Sequence, residues 1–215
     1  TQTQLTYAKT FNDVHNVDAL LGFETEDYQY AWNYLSGYDY PGLKNELQNA
    51  GTRDAESGKD RSKMVSYLGR LNYNYADKYY VSASYRMDGT SRLSRDNRWG
   101  SFWSASGSWR FMQESFMEGI KDVITDGKLR ASYGVNGTLP SSYYGYMTLY
   151  TYGWTYNGVS GMAEGNAGNL DLKWEKNKAL NIGLDLTLLD RFSMTLDWYT
   201  RTSSDLLMSK PISYV

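Results

Sequence analysis

Apolar and polar residues alternate through two neighbouring segments, residues 65–75 and 79–88, within a stretch that reads GRLNYNYADKYYVSASYRMDGTSR from Gly69. In the first, Val65, Tyr67, Gly69, Leu71, Tyr73 and Tyr75 share one face, and Ser66, Leu68, Arg70, Asn72 and Asn74 the other. In the second, Tyr79, Val81, Ala83, Tyr85 and Met87 oppose Tyr80, Ser82, Ser84, Arg86 and Asp88. Successive side chains of a strand point to opposite faces, so the pattern predicts a hairpin turning at Ala76-Asp77-Lys78, with one apolar and one polar face. The apolar face carries no charge. Each strand is about ten residues long, which is what a tilted strand needs to cross a bilayer.

The same reading along the chain predicts eight strands. Residues 2–11 and 15–25 come first, with Leu5, Tyr7 and Phe11, then Val17, Ala19, Leu21 and Phe23, on their apolar faces. A polar connection over 26–62 follows, with a short helix suggested by LKNELQNA at 43–50. After the hairpin and a charged loop at 88–98, strands are expected at 99–111, 128–136, 173–188 and 192–202. The link 113–127 holds a helical turn around 116–123, and 137–172 reads as a long loop rich in Gly and Tyr. The connections therefore run short, long, short, long, intermediate, long, short. Outer-membrane barrels alternate in that way, with short periplasmic turns and long outer loops, whereas a soluble sandwich has connections of similar length.

Charge placement points the same way. Arg70, Arg86, Arg110, Arg130, Asp185 and Asp197 fall on polar faces, and a cation on the lipid face costs about 2–4 kcal/mol at mid-bilayer. Lys9 and Lys178 break the pattern, but both lie close enough to a strand end to snorkel to an interface. Tyr73, Tyr75 and Tyr79 gather by the short turn, while Tyr67 and Tyr85 sit nearer the loops, as two aromatic girdles require.

Composition narrows the choice. Among 215 residues there are 21 Tyr and 7 Trp, which favours strands and membrane interfaces. The longest apolar runs are far too short for a membrane helix, and a mean hydropathy of -0.62 still admits a barrel, whose lumen face is polar. A net charge of -2 gives no electrostatic case for nucleic acid. The absence of cysteine removes disulfides, thiolate catalysis and zinc–sulfur sites. Thr1 opens in what reads as mid-strand, so the chain is expected to be a fragment of something longer.

On these residues the sequence resembles the barrel of SusC/RagA-like TonB-dependent transporters. The resemblance rests on the stretch from Gly69, NRWGSFWSASGSWRFMQESFM from Asn97, KLRASYGVNGTLP from Lys128, GNLDLKWEK from Gly168 and DLLMSKPIS from Asp205, in that order. Leu170 departs from it, standing where the family usually has proline. The resemblance implies an outer-membrane barrel of about 22 strands in a Gram-negative bacterium, closed by an N-terminal plug and energised by TonB. It also implies a SusD-like surface lipoprotein partner and import of glycans or peptides. The expectation is an all-β antiparallel meander of about eight long strands forming part of such a barrel in contact with outer-membrane lipid, residues 1–215 being a single segment without plug or closing strands. The competing expectation is a soluble, secreted β-sandwich that binds carbohydrate.

No catalytic constellation is visible, and neither a cofactor nor a metal site is expected. His15, the one histidine, lacks partners for a dyad or a metal site, and Glu24, Glu26 and Asp27 match no calcium loop. The candidate ligand-binding residues are loop aromatics that could stack on a sugar or grip a peptide: Tyr34 and Tyr38 in the first long loop, and Tyr146, Tyr150, Trp154 and Tyr156 in the third. The same rings could instead pack the loops together. Arg70, Arg86, Arg110 and Arg130 are expected to face the lumen, there either meeting plug carboxylates or balancing Asp88, Asp185 and Asp197.

Overall fold

A computed structural model describes residues 1–208. The strands are β1 (Gln2–Phe11), β2 (His15–Tyr38), β3 (Thr52–Tyr75), β4 (Tyr79–Thr90), β5 (Trp99–Trp109), β6 (Ile124–Thr138), β7 (Leu149–Tyr156), β8 (Val159–Asn166), β9 (Glu175–Leu188) and β10 (Phe192–Ser204). Eight of them form one antiparallel sheet in the order β1-β2-β3-β4-β5-β6-β9-β10, and β7 pairs with β8. The expected meander of long strands is present.

The register explains why the sheet has a membrane face. One row of partners crosses every strand: Tyr7, Ala19, Leu71, Ala83, Ala105, Tyr133, Leu180, Thr200. Side chains in such a row share a face. The parallel row two residues away carries Lys9, Val17, Tyr73, Val81, Gly107, Ala131, Ile182 and Trp198. Much of this face is bare: Leu71 is 50% exposed, Val81 55% and Trp198 57%. The sole cluster of buried apolar residues among the described ones is Leu93, Phe102 and Trp174, packed with Leu139 and Leu172 at the loops. A sandwich would need a second sheet over this face. The other sheet among the described residues is the β7–β8 pair, so the sandwich alternative fails.

The two ends of the sheet differ as expected. At one end, Asn12-Asp13, Ala76-Asp77 and Leu189-Asp190 hold φ between 48° and 58°. Each pair sits in a β-turn closed by a backbone bond, Val14 N–H to Phe11 C=O (3.2 Å), Lys78 to Tyr75 (3.0 Å) and Arg191 to Leu188 (3.0 Å). Two consecutive positive φ values define the turn whose twist matches flanking strands. The fourth connection at this end contains 3-10 helices at Phe111–Gln113 and Ser115–Ile120.

The long connections depart from expectation. Most of the predicted loop at 26–62 is strand: β2 runs to Tyr38, β3 starts at Thr52, and they pair residue for residue up to Tyr38 with Thr52. Only 39–51 connects them, and the helix suggested at 43–50 shrinks to one 3-10 turn, Leu47–Asn49. β2 and β3 go on pairing through residues 26–38 and 52–64, beyond the last partner of β4 at Met64, as a ribbon. At about 3.4 Å per residue it runs roughly 44 Å past the end of β4. The predicted loop at 137–172 likewise contains the β7–β8 hairpin, turned by Asn157-Gly158 (φ 49° and 75°). The helical turn expected at 116–123 is the 3-10 helix Ser115–Ile120, β6 starts at Ile124 rather than 128, and β5 ends at Trp109, leaving Arg110 just past the strand. The latter half of DLLMSKPIS lies outside the described residues.

Candidate functional site

The polar face of the wall is a network across strands. Arg130 on β6 donates from Nε to Asp185 (2.9 Å) on β9, and its Nη2 meets Asp197 (2.8 Å) on β10. Arg86 on β4 reaches Asp88 (2.7 Å), Glu24 on β2 (3.2 Å) and the fully buried Ser66 on β3 (3.0 Å). Arg110 donates to Asp126 (3.1 Å) at the start of β6. Between them Asn72 donates to Asp18 (2.8 Å), Ser82 to Asn72 (2.7 Å), and Ser84 and Ser104 share a bond (2.7 Å). The wall thus supplies a carboxylate to three of the four arginines. Arg70 is exposed and makes no ion pair among the described residues.

Aromatic rings band the other face at two levels. By the tight turns, Tyr79 stacks on Tyr75 (6.2 Å) and on Trp109 (6.5 Å), and His15 lies 5.0 Å from Tyr75. Near the long connections, Phe23 meets Tyr67 (5.3 Å), Tyr67 meets Trp99 (6.3 Å), and Trp103 meets Tyr133 (5.5 Å). His15 shares a hydrogen bond with Tyr73 (2.7 Å) and so belongs to the lower band. Lys9, paired with Val17 near the turn, has its ammonium 4.9 Å from the Phe11 ring. Under the sheet, Glu114 accepts from Tyr79, Trp109 (3.2 Å) and Lys78 (3.4 Å), and those donors, Tyr79 first, hold its carboxyl below the usual range.

Above Thr25 the faces change character. Tyr28, Tyr30, Trp32, Tyr34 and Tyr38 continue the face that carries Glu24 below, while Asp27, Gln29 and Asn33 continue the face that carries Leu21 and Phe23. Tyr34 and Tyr38 are therefore strand residues rather than loop residues. Glu24 and Asp27 point to opposite faces. Asp27 meets Arg61 (2.8 Å) and Lys63 (3.9 Å), and the Arg61 guanidinium holds its carboxyl below the usual range.

Two loops fasten the base of the ribbon, and a third fastens one of them. Tyr28 stacks on Tyr143 (6.5 Å), and the Arg92 guanidinium lies 4.2 Å from the same ring. Where β3 has outrun β4, its edge amides find side chains: Lys63 N–H donates to Ser91 Oγ (2.9 Å) and Arg61 N–H to Tyr144 Oη (3.1 Å). Ser94 (2.8 Å) and Asn97 (3.0 Å) both donate to the Leu170 carbonyl, and Trp174 to that of Arg98 (3.1 Å). The Leu170 side chain is exposed, so the residue acts through a carbonyl that proline would also offer. Tyr28, Tyr143 and Tyr144 thus hold loops together.

The remaining aromatics do not form one group. A bulge at Gly153 (φ 95°) shifts the β7–β8 register between Tyr152 and Trp154. Tyr150 and Tyr152 point to one face, and Trp154 and Tyr156 to the other, where Trp154 Nε1 donates to Thr151 (3.1 Å). Tyr146 is half-buried in the loop before β7. Among the described residues no group of His, Asp and Glu is placed to hold a metal ion.

An antiparallel wall of eight strands, apolar on one face, polar and ion-paired on the other and banded by aromatics, defines a segment of a transmembrane β-barrel. The chain belongs to the TonB-dependent receptor family: the family model described as "TonB dependent receptor-like, beta-barrel" matches residues 1–215. It is 34% identical over 96% of its length to a TonB-dependent receptor of Formosa agariphila. It is 33% identical over 92% of its length to the TonB-dependent receptor SusC of Bacteroides thetaiotaomicron. It spans about 20% of the length of each of these curated relatives. A solved structure described as the RagAB peptide transporter superposes over 99% of this chain and 24% of its own, with a TM-score of 0.84 and 25% identity.

Proposed function

We propose that this chain is one stretch of the barrel wall of a TonB-dependent importer in the outer membrane of a Gram-negative bacterium. The single observation that carries the reading is the uncovered apolar face, continuous in register across eight strands and backed by an ion-paired polar face. Such a face is stable in hydrocarbon, and an open sheet edge is not. The edges of β1 and β10 are therefore closed by further strands of the same receptor, with a plug inside. In this reading Arg70 meets the plug, Arg86, Arg110 and Arg130 line the lumen that surrounds it, and TonB drives transport. The likeness to SusC and RagAB supports a SusD-like surface lipoprotein partner and a glycan or peptide cargo.

The intact receptor tests this. It should fractionate with outer membranes, co-purify with a lipoprotein and take up a labelled glycan or peptide only in cells with working TonB. Recovery in the soluble fraction would refute the assignment.

A further inference from the structure

The ribbon beyond Thr25 sorts its chemistry by face. One face carries Tyr30, Trp32 and Tyr34 from β2 opposite Asp60, Gly58 and Glu56 of β3, with Asp54 two residues further on. The other carries Arg53, Lys59, Arg61 and Lys63. The charges of one strand are thus separated by sign. Trp32 lies across its cross-strand neighbour because that neighbour is Gly58: a Cβ there would stand 2.5 Å from the indole Nε1. Tyr30 is 47% exposed, Trp32 37% and Tyr34 51%, and on this face they line an open depression with Glu56. Among the described residues, Asp54, Glu56 and Asp60 enter no ion pair.

We propose that this aromatic face docks cationic, extended peptide, with lysine or arginine side chains lying on the rings and facing the carboxylates. This rests on reading the protein as an importer and names the cargo. Two features select peptide. The rings recur at every second residue, about 6.8 Å apart, which is also the spacing of alternate side chains in an extended peptide. A cation over a ring is attracted by the ring's electron-rich face, and a row of carboxylates strengthens that preference. A neutral glycan would use the rings and leave three like charges without a role.

The test uses the intact receptor in detergent and two fluorescent pentapeptides, one with lysine at alternate positions and one with glutamine there. The lysine peptide should bind about tenfold more tightly at low salt, and the preference should fade at high salt. The double variant Glu56→Gln, Asp60→Asn keeps side-chain shape and should abolish that preference, while Trp32→Ala should weaken both peptides. Equal binding of the two peptides by the wild type, or an unchanged preference in the double variant, would overturn the proposal. So would tighter binding of a neutral oligosaccharide that is lost in Trp32→Ala. Heat-modifiable migration and TonB-dependent uptake are measured in parallel. A receptor that inserts and imports but shows no charge preference refutes the docking site alone, whereas one that fails to insert in its wild-type form refutes the importer reading.

Discussion

Below Thr25, β2 and β3 are barrel wall; above it, they are a ribbon that outruns β4. The ladder is unbroken and the alternation never slips, yet the apolar face changes sides. Leu21 and Leu35 show this on one strand. Both are bare, 64% and 61% exposed, and they lie on the same face by parity. Leu21 sits in a row with Leu5 and Gly69, and Leu35 among Asn33, Gly37 and Ala55. The backbone pairing is the same in both regions, so the surrounding medium must set which face is apolar. Lipid selects apolar residues on the outer face of the wall, and water selects polar ones on the same face of the ribbon.

The largest expected effect separates the two regions directly. Leu21→Arg should cost about 2–4 kcal/mol and block assembly of the intact receptor, whereas Leu35→Arg should leave it near wild type. Band shift on heating in detergent reads both, and equal damage would erase the distinction. Next comes the network inside the wall. Arg86→Met leaves Asp88 buried without its cation and should cost about 1–2 kcal/mol, below the value for a fully buried pair because Arg86 is 38% exposed. Chemical unfolding in detergent measures it. Gly58→Val should act on the ribbon alone, since the new Cβ collides with the Trp32 indole. Overpacking costs about 1–3 kcal/mol in a core and less beside a ring as exposed as Trp32. Faster proteolysis of the ribbon with unchanged unfolding of the wall is the expected outcome.

Acid should have the smallest effect at neutral pH. Asp27 is held below its ordinary value by Arg61, so its contribution is complete above the unfolded value and is lost as pH falls through the lower, folded one. Ribbon proteolysis should be the same at pH 8 and pH 5 and rise only below about pH 4. A rise between pH 8 and pH 5 would show that other groups hold the ribbon base.

The sequence made the wall legible because there alternation and polarity agree. Lipid demands apolar residues at every outward position, so Val65 to Tyr75 and Tyr79 to Met87 declare both strand and face. The ribbon stayed hidden because its polarity reverses. Tyr28, Tyr30, Trp32 and Tyr34 alternate as cleanly as any wall strand, but a search for an apolar face continuous with Leu21 and Phe23 stops at Thr25. The β7–β8 hairpin had its own signal in Asn157-Gly158, flanked by residues with strong strand preference, and the surrounding glycines obscured it. Ion pairing was not legible, because the partners of Arg86 and Arg130 come from strands whose register no single segment reveals. The bulge at Gly153, which parts Tyr152 from Trp154, was equally invisible to a count of alternate positions.

Spin labels at Leu21→Cys and Leu35→Cys in the intact receptor, reconstituted in bilayers, test the face reversal most directly. The label at 21 should relax with oxygen and ignore a water-soluble nickel complex, and the label at 35 should do the opposite. Similar accessibility of the two labels, or aqueous access at 21, would contradict a lipid-facing wall that gives way to a water-exposed ribbon.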